Sequence, residues 1–149
     1  MGAVTTIQAT RTALTVTGFG TLASGTYVAS SAYNAGTADP QDVIIEVEAA
    51  TTNTPTGNKK IDVFVQASLD GTNFQSGPTS GTTTTDELDL TLIGTLPMNT
   101  ATTTHRKMFS VGVVLGFIPQ QLKVVLKNDL GVALTSGAVY TAEISNSVA

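Results

Sequence analysis

The chain has 149 residues and no cysteine, and charged residues occupy only 12% of it, giving a net charge of -4. This length is enough for one domain with a buried core, and the lack of cysteine excludes disulfide frameworks and cysteine-based zinc sites. The acidic balance disfavours nucleic acid as a partner, because proteins that bind it present basic surfaces. Threonine is frequent, at 27 residues, and its β-branched side chain suits strands.

The N-terminal residues predict an extended arm followed by a first strand. After Val4, Ile7 is the only large apolar residue before position 14, so the segment has little to bury against the entropy of ordering. We therefore divide the chain into an extended arm, residues 1–13, and a β-sandwich domain, residues 14–149. We expect the arm to be mobile or held by a neighbouring subunit.

The next third of the chain contains the clearest strands. Apolar and polar residues alternate over residues 42–50 and again over residues 59–69, which is typical of strands with one buried face. A shorter strand is predicted over residues 26–33. Asp70-Gly71 predicts a hairpin turn, and the Ser/Thr/Gly-rich residues 75–85 predict a long surface loop.

The C-terminal half continues the same pattern. Strands are predicted over residues 87–96, 107–117, 121–127 and 139–146. In the first of these we expect leucines 88, 90 and 92 to face the core. In the second, positions 109, 111, 113, 115 and 117 share one face.

These elements predict an all-β fold, a single-domain β-sandwich of about eight strands. Helical periodicity is absent from the pattern. The first residues contain no basic region followed by an apolar run, so we expect no signal peptide, and residues 108–118, the longest apolar-leaning stretch, are too short to span a bilayer. We therefore expect no membrane partner.

No residue pattern indicates catalysis. His105 is the only histidine, in a threonine-rich segment, and no Gly-x-Ser-x-Gly motif accompanies it. The one acidic cluster, Asp86, Glu87 and Asp89, alternates with leucines and is expected on the solvent side. We therefore predict a protein that is not an enzyme and uses no metal or cofactor.

Three apolar residues lie on the outward side of their strands. Phe64, Ile44 and Val125 all point away from the predicted core face. Either both faces of that sheet are covered within the fold, or the outer face contacts another subunit, which we favour. Together with the arm, this predicts a capsid or subunit interface that includes Val4, Thr5, Thr6, Ile7, Ile44 and Phe64.

Three segments resemble small virion proteins of tailed bacteriophages. They are residues 61–74, with the turn Asp70-Gly71; residues 119–131, with the turn before Gly131; and residues 137–144. The chain is most similar to the head decoration (cement) proteins of tailed phages. That resemblance implies a jelly-roll-like sandwich, a homotrimer, the major capsid protein as partner and a place on the outer surface of the capsid.

Two functions remain open from the sequence. The first is a structural virion protein that decorates and stabilises a phage capsid by bridging capsid subunits. The second is a carbohydrate- or receptor-binding β-sandwich module on a phage fibre, spike or tail. The chain has no tryptophan and only three tyrosines, and sugar-binding sites commonly use such rings for stacking, so the first function is favoured.

Overall fold

The computed structural model describes residues 2–148, which form two antiparallel sheets packed face to face. The predicted all-β sandwich is confirmed. The elements are β1 (Val4–Gln8), β2 (Thr12–Leu14), β3 (Tyr27–Ala29), β4 (Tyr33–Asn34), β5 (Asp42–Ala50), β6 (Lys60–Ser68), β7 (Ser80–Gly81), β8 (Thr91–Pro97), β9 (His105–Ser110), α1 (Val111–Leu115), β10 (Gln121–Asp129) and β11 (Ser136–Val148), with 3-10 turns at Phe19–Thr21 and Glu87–Asp89.

The connectivity is that of a jelly roll. Sheet A has the order β2-β11-β5-β9, with β1 also on β11, and sheet B has the order β7-β3-β10-β6-β8, with β4 also on β10. Without β1, β4 and β7, eight strands remain. Along the chain the first pairs with the eighth, the second with the seventh, the third with the sixth and the fourth with the fifth. This nested pairing places four strands in each layer, as in jelly rolls.

The main core lies between the two sheets. On β5, buried and half-buried positions alternate without a break, as the sequence predicts. Burial of this apolar set is the main favourable term in folding. The largest fully buried side chains include Phe19, Ile45, Ile61, Leu96, Met98, Leu122, Leu126 and Leu130.

A second, smaller core covers the other face of sheet B. We call residues 75–90 the flap: the chain leaves β6, crosses the outer face of the sheet, pairs with β3 through β7 and returns to β8. Leu90 of the flap packs with Tyr27, Phe64 and Val125. Every residue of β6 after Lys60 is therefore buried. This includes Asp62, on the side of the strand that the alternation predicts to face solvent; it is paired with Lys60 at 2.8 Å.

The strand predicted over residues 87–96 is shorter than expected. Residues 87–89 form a 3-10 turn, and the strand begins at Thr91. Leu88 is 97% exposed and Leu92 is 50% exposed, so only Leu90 of the three leucines is buried. The alternation of buried and exposed residues fails because the pairing of β6 with β8 shifts register between Val63 and Phe64. Gly94 lies opposite Val63 and has a φ of 155°, a backbone conformation that glycine adopts more readily than other residues.

The strand predicted over residues 107–117 ends at Ser110. There the hydroxyl oxygen of Ser110 accepts a hydrogen bond from the Val113 amide and caps the short helix α1. Gly116 ends the helix with a positive φ of 78°. The five positions predicted to share one face therefore do not: Phe109 and Val111 are buried, whereas Val113 is 83% exposed and Phe117 is 50% exposed.

The N-terminal segment pairs with its own chain. β1 pairs with residues 144–148 of β11, and β2 pairs with residues 139–141 of the same strand. The predicted boundary between residues 13 and 14 therefore falls inside β2. Met1, in the predicted arm, and Ala149, in the predicted sandwich domain, lie outside the described residues.

The core assignment predicts a large difference between two introduced aspartates. Val63→Asp should lower the free energy of unfolding by about 3 kcal/mol or more, because it places an unpaired charge between the sheets. Leu88→Asp is the matched control, since Leu88 is 97% exposed, and it should change stability by less than about 0.5 kcal/mol. Chemical denaturation of both variants measures this, and similar losses for the two would contradict the packing described.

Candidate functional site

The four predicted interface residues of the arm lie together on β1. Val4, Thr5, Thr6 and Ile7 are all exposed, Val4 at 62% and Ile7 at 47%. The Thr6 hydroxyl donates to Asn146 Oδ1 at 3.2 Å across the pair with β11. Within residues 2–148, no strand pairs with the outer edge of β1.

Ile44 lies on the same sheet but on its outward face. It is half-buried between its cross-strand neighbours Ala142 and Ser110. Together with Met108, which is 63% exposed, it lines a shallow cavity of about 240 Å³ that residues 8–11 border. The outer face of sheet A thus has a small apolar area next to the N-terminal segment.

A paired set of charges lies beside that area. Arg11 contacts Glu46 and lies 3.5 Å from Glu48, while Arg106 Nε donates to Glu48 at 2.7 Å. The Arg11 guanidinium also stacks on the Tyr140 ring at 3.8 Å. Hydrogen bonds from Arg106 and from the Tyr140 hydroxyl hold the pKa of Glu48 below its usual value. Two positive and two negative charges cancel, so the face is close to neutral.

Sequence reasoning missed this set, although part of it was visible. Glu46 and Glu48 share the outer face of β5, and Arg106 stands in a neighbouring strand. The local sequence did not predict the position of Arg11, because that position depends on how the N-terminal segment pairs along β11.

Phe64 does not join the other predicted interface residues. It is 5% exposed and lies under the flap, on the opposite side of the sandwich from Ile44. Of the two alternatives, coverage within the fold is the one observed, so Phe64 is not available to another subunit. The flap is held over it by Glu87, which accepts hydrogen bonds from the Tyr27 hydroxyl and, at 2.8 Å, from Lys127 Nζ.

A groove opens at one end of the sandwich. We call it the end groove; its volume is about 730 Å³, and it lies between α1 and the turn that follows β6. Its apolar lining includes Leu69, Val114 and Phe117, which are 76%, 43% and 50% exposed. Exposed apolar side chains grouped in a concave site are typical of binding surfaces. The sequence did not reveal this site, because α1 was taken as a strand.

The turn on one side of the end groove is built around Asp70. Its carboxylate accepts hydrogen bonds from the backbone amides of Asn73 and Thr72 and from the Asn73 side chain, at 2.6–2.8 Å. The Ser68 hydroxyl is 3.0 Å away. These donors, the Asn73 amide above all, hold the pKa of Asp70 far below its usual range. The carboxylate is therefore charged at neutral pH and already has its hydrogen-bond partners.

The helix on the other side is fixed by Asp42. Its Oδ1 accepts from the amides of Val43 and Gly112, both at 2.8 Å, and its Oδ2 accepts from the Ser110 hydroxyl. One carboxylate therefore joins the start of β5 to the first turn of α1. The orientation of the exposed side chains of α1 depends on it.

Two residues considered as catalytic candidates, His105 and Glu87, make hydrogen bonds within the fold. His105 Nε2 lies 3.2 Å from the Thr100 hydroxyl, and Glu87 is used to hold the flap. Among residues 2–148, no three His, Cys, Asp or Glu side chains are grouped so as to hold a metal ion. In the same part of the chain, no helix has the length and apolar character needed to cross a membrane.

No protein-family model matches the chain, and no curated protein matches it significantly.

Removing the Asp42 carboxylate should loosen α1. Asp42→Ala leaves the Gly112 amide and the Ser110 hydroxyl without their acceptor, so we expect a loss of about 1–3 kcal/mol in the free energy of unfolding. Asp42→Asn retains an oxygen for the two amides and should lose less. Chemical denaturation measures the stabilities. The rate of amide hydrogen exchange at residues 112–116 should be higher in Asp42→Ala than in the original protein. An unchanged exchange rate there would contradict the role given to Asp42.

The Asp70 turn predicts a pH dependence of stability. Because the folded pKa lies below that of the unfolded chain, this carboxylate stabilises the fold above the unfolded pKa of about 3.9, and the stabilisation is lost as the pH falls below it. Asp70→Asn should lower the Tm at neutral pH, and its difference from the original protein should shrink towards about pH 2. Parallel Tm curves for the two proteins would contradict the prediction.

Proposed function

We propose that the protein is a structural virion protein that decorates and stabilises a phage capsid by bridging capsid subunits. In this proposal it is a homotrimer on the outer surface of the capsid, with the major capsid protein as partner. A sandwich with two hydrophobic cores is a rigid body, and its uncharged N-terminal edge is a means of attachment.

The observation that carries the proposal is the outer edge of β1. All five residues of β1 are exposed, and β1 is paired only with β11 among the described strands. Proteins usually protect such an edge with charges, proline or bulges. Residues 2–10 contain no charged side chain and no proline, so this edge can receive a strand from another protein.

Strand addition also fits the composition of the segment. The attraction comes from main-chain hydrogen bonds, so the side chains need to fit but need not carry charge. A single added strand of this length is a weak contact. Many copies on a symmetric particle multiply such contacts, because each copy that binds by more than one contact gains from high effective concentration.

The alternative function, a carbohydrate- or receptor-binding module on a phage fibre, spike or tail, has one observation in its favour. Phe117 is half-exposed in the end groove, with the polar side chains of Asn73 and Gln75 also lining it. A ring beside amide groups is a usual arrangement for a sugar. Saturable binding to members of a glycan array, lost in Phe117→Ala, would favour this alternative over decoration.

Deletion of residues 2–10 tests the capsid proposal. The truncated protein should keep its fold, with a Tm only a few degrees lower, because none of these residues is buried. It should lose most of its binding to particles assembled from the major capsid protein encoded in the same genome. Co-sedimentation with those particles measures the binding, and circular dichroism measures the Tm.

Two outcomes would contradict the proposal. One is that the full chain does not co-sediment with the particles at all. The other is that the truncated protein binds as well as the full chain. The matched control is Thr10→Ser, a change in the same segment that leaves β1 intact and should alter neither quantity.

A further inference from the structure

The N-terminal segment is attached to the sandwich without burying its side chains. Residues 2–13 are all exposed, so the hydrophobic effect contributes little to their position. β5 begins at Asp42, opposite Ile144, so residues 145–148 of β11 have β1 as their only neighbouring strand among the described residues. A two-stranded ribbon of this kind is marginally stable in water. The pairing of β1 with β11 therefore needs a further source of stability.

A bulge separates β1 from β2. β1 ends at Gln8, opposite Ile144, and β2 begins at Thr12, opposite Thr141, so three residues of the N-terminal segment stand opposite two of β11. Side chains alternate between the two faces of a strand, and one extra residue reverses that alternation. The bulge therefore turns the side chain of Arg11 to the outer face of sheet A, where its contacts lie.

On that face, Arg11 contacts the two central strands of the sheet. Its guanidinium hydrogen-bonds to the Glu46 carboxylate, lies 3.5 Å from the Glu48 carboxylate and stacks on the Tyr140 ring at 3.8 Å. The side chains of the two glutamates are only 15% and 16% exposed, so water and salt weaken the attraction less than at an open surface. We call Arg11, Glu46 and Tyr140 the clip. It joins the N-terminal segment to β5 and β11.

Other side-chain contacts of the segment are few. Within residues 2–148, Thr6 is the other residue of the range 2–13 whose side chain makes a hydrogen bond, and its contact with Asn146 is exposed. On the inner side of the bulge, a cavity of about 340 Å³ is lined by this segment together with Tyr33 and Glu143. The segment is therefore not closely packed against the core there, and the clip is its main side-chain attachment.

We propose that the clip keeps β1 paired with β11, and that Arg11 is thereby a positioning residue for the edge that attaches the protein to the capsid. The inference rests on the proposed function, because it concerns the same attachment edge. A paired β1 presents backbone groups that are already aligned for an added strand. A released β1 has to be ordered again during binding, which lowers the affinity. Attachment is therefore controlled by a charged residue that lies outside the edge itself.

Amide hydrogen exchange at residues 4–8 tests the clip in the isolated protein. Arg11→Ala removes both the charge and the stacked guanidinium, so exchange at these residues should become about tenfold faster or more. Exchange in β6 and β10 should not change, because position 11 is exposed and lies outside the core. An unchanged rate at residues 4–8 would overturn the inference. Amides of β1 that exchange freely already in the original protein would also overturn it, since β1 would then not be held.

Arg106→Ala is the matched control. Arg106 is also an arginine bound to Glu48, but it lies on β9, and β9 pairs with the edge of β5 that is remote from β11. Its removal changes the charge of the outer face by the same amount as Arg11→Ala. It should change the exchange rate at residues 4–8 by less than about twofold, because it does not touch the N-terminal segment. Equal effects of the two variants would mean that the charge of the face governs β1, and the inference would fail.

A double-mutant cycle tests whether Glu46 acts on β1 through Arg11. Glu46→Ala alone should speed the exchange at residues 4–8, because it removes the hydrogen-bond partner of Arg11. Added to Arg11→Ala, the same change should have little further effect, since the contact is already lost. A further increase as large as that of Glu46→Ala alone would indicate a general loosening of sheet A and would contradict the proposal.

Co-sedimentation with capsid particles tests the control of attachment. Arg11→Ala should bind the particles about tenfold more weakly or worse, with a Tm only a few degrees lower, because β1 has to be ordered during binding. Arg106→Ala should bind as the original protein does. Faster exchange at residues 4–8 together with unchanged binding would overturn the role of Arg11 in attachment.

The clip and the capsid proposal can fail separately. If the original protein does not bind the particles, but Arg11→Ala still releases β1, the decoration function is removed and the role of the clip in holding β1 stands. If the original protein binds and Arg11→Ala leaves the exchange of β1 unchanged, the clip is removed and the decoration function stands.

Discussion

Burial of both faces of β6 is the constraint on which the rest of this structure depends. β6 lies between β10 and β8, and eight of its nine residues are buried. One face requires sheet A as its cover, which is the ordinary condition of a sandwich. The other face carries Phe64 and requires a third layer, which the flap supplies through Leu90.

The flap meets this requirement with few apolar residues. It consists largely of serine, threonine and glycine, and its attachment is mostly polar. The side-chain amide of Gln66 donates to the backbone oxygen of Gln75 at 2.6 Å, and Lys127 pairs with Glu87. Gly77 is needed where the flap passes Leu90, because an added Cβ would lie 2.5 Å from the Leu90 Cγ. The flap, whose composition predicts a surface loop, therefore covers the outer face of sheet B.

The sequence predicted the extents of the strands correctly wherever apolar and polar residues alternate regularly. β5 and β10 have the predicted extents within two residues, and β6 differs from the prediction by one residue at each end. The leucines at 88 and 92 could not be placed, because a local turn at residues 87–89 and the register shift near Gly94 break the period of two. Val113 and Phe117 were misplaced for a related reason, since one serine cap converts a strand-like pattern into a helical turn.

The candidate surfaces were predictable to a smaller extent. The exposure of Val4 and Ile7 follows from the absence of apolar neighbours in the sequence, and Ile44 was placed on the outward face correctly. Phe64 has the same local pattern as Ile44, yet a distant segment covers it. The end groove depends on Asp42 binding residues 110 and 112 across the fold, and such a contact has no signature in the local sequence.

The nested order of the strands has a consequence for biosynthesis. Residues 12–14 pair with residues 139–141, so sheet A cannot be completed until residue 141 has left the ribosome. Folds dominated by such distant contacts form slowly and leave strand edges open in the meantime. Until then residues 12–14 remain unpaired. A threonine-rich, weakly apolar segment stays hydrated in that state better than a valine- or isoleucine-rich one.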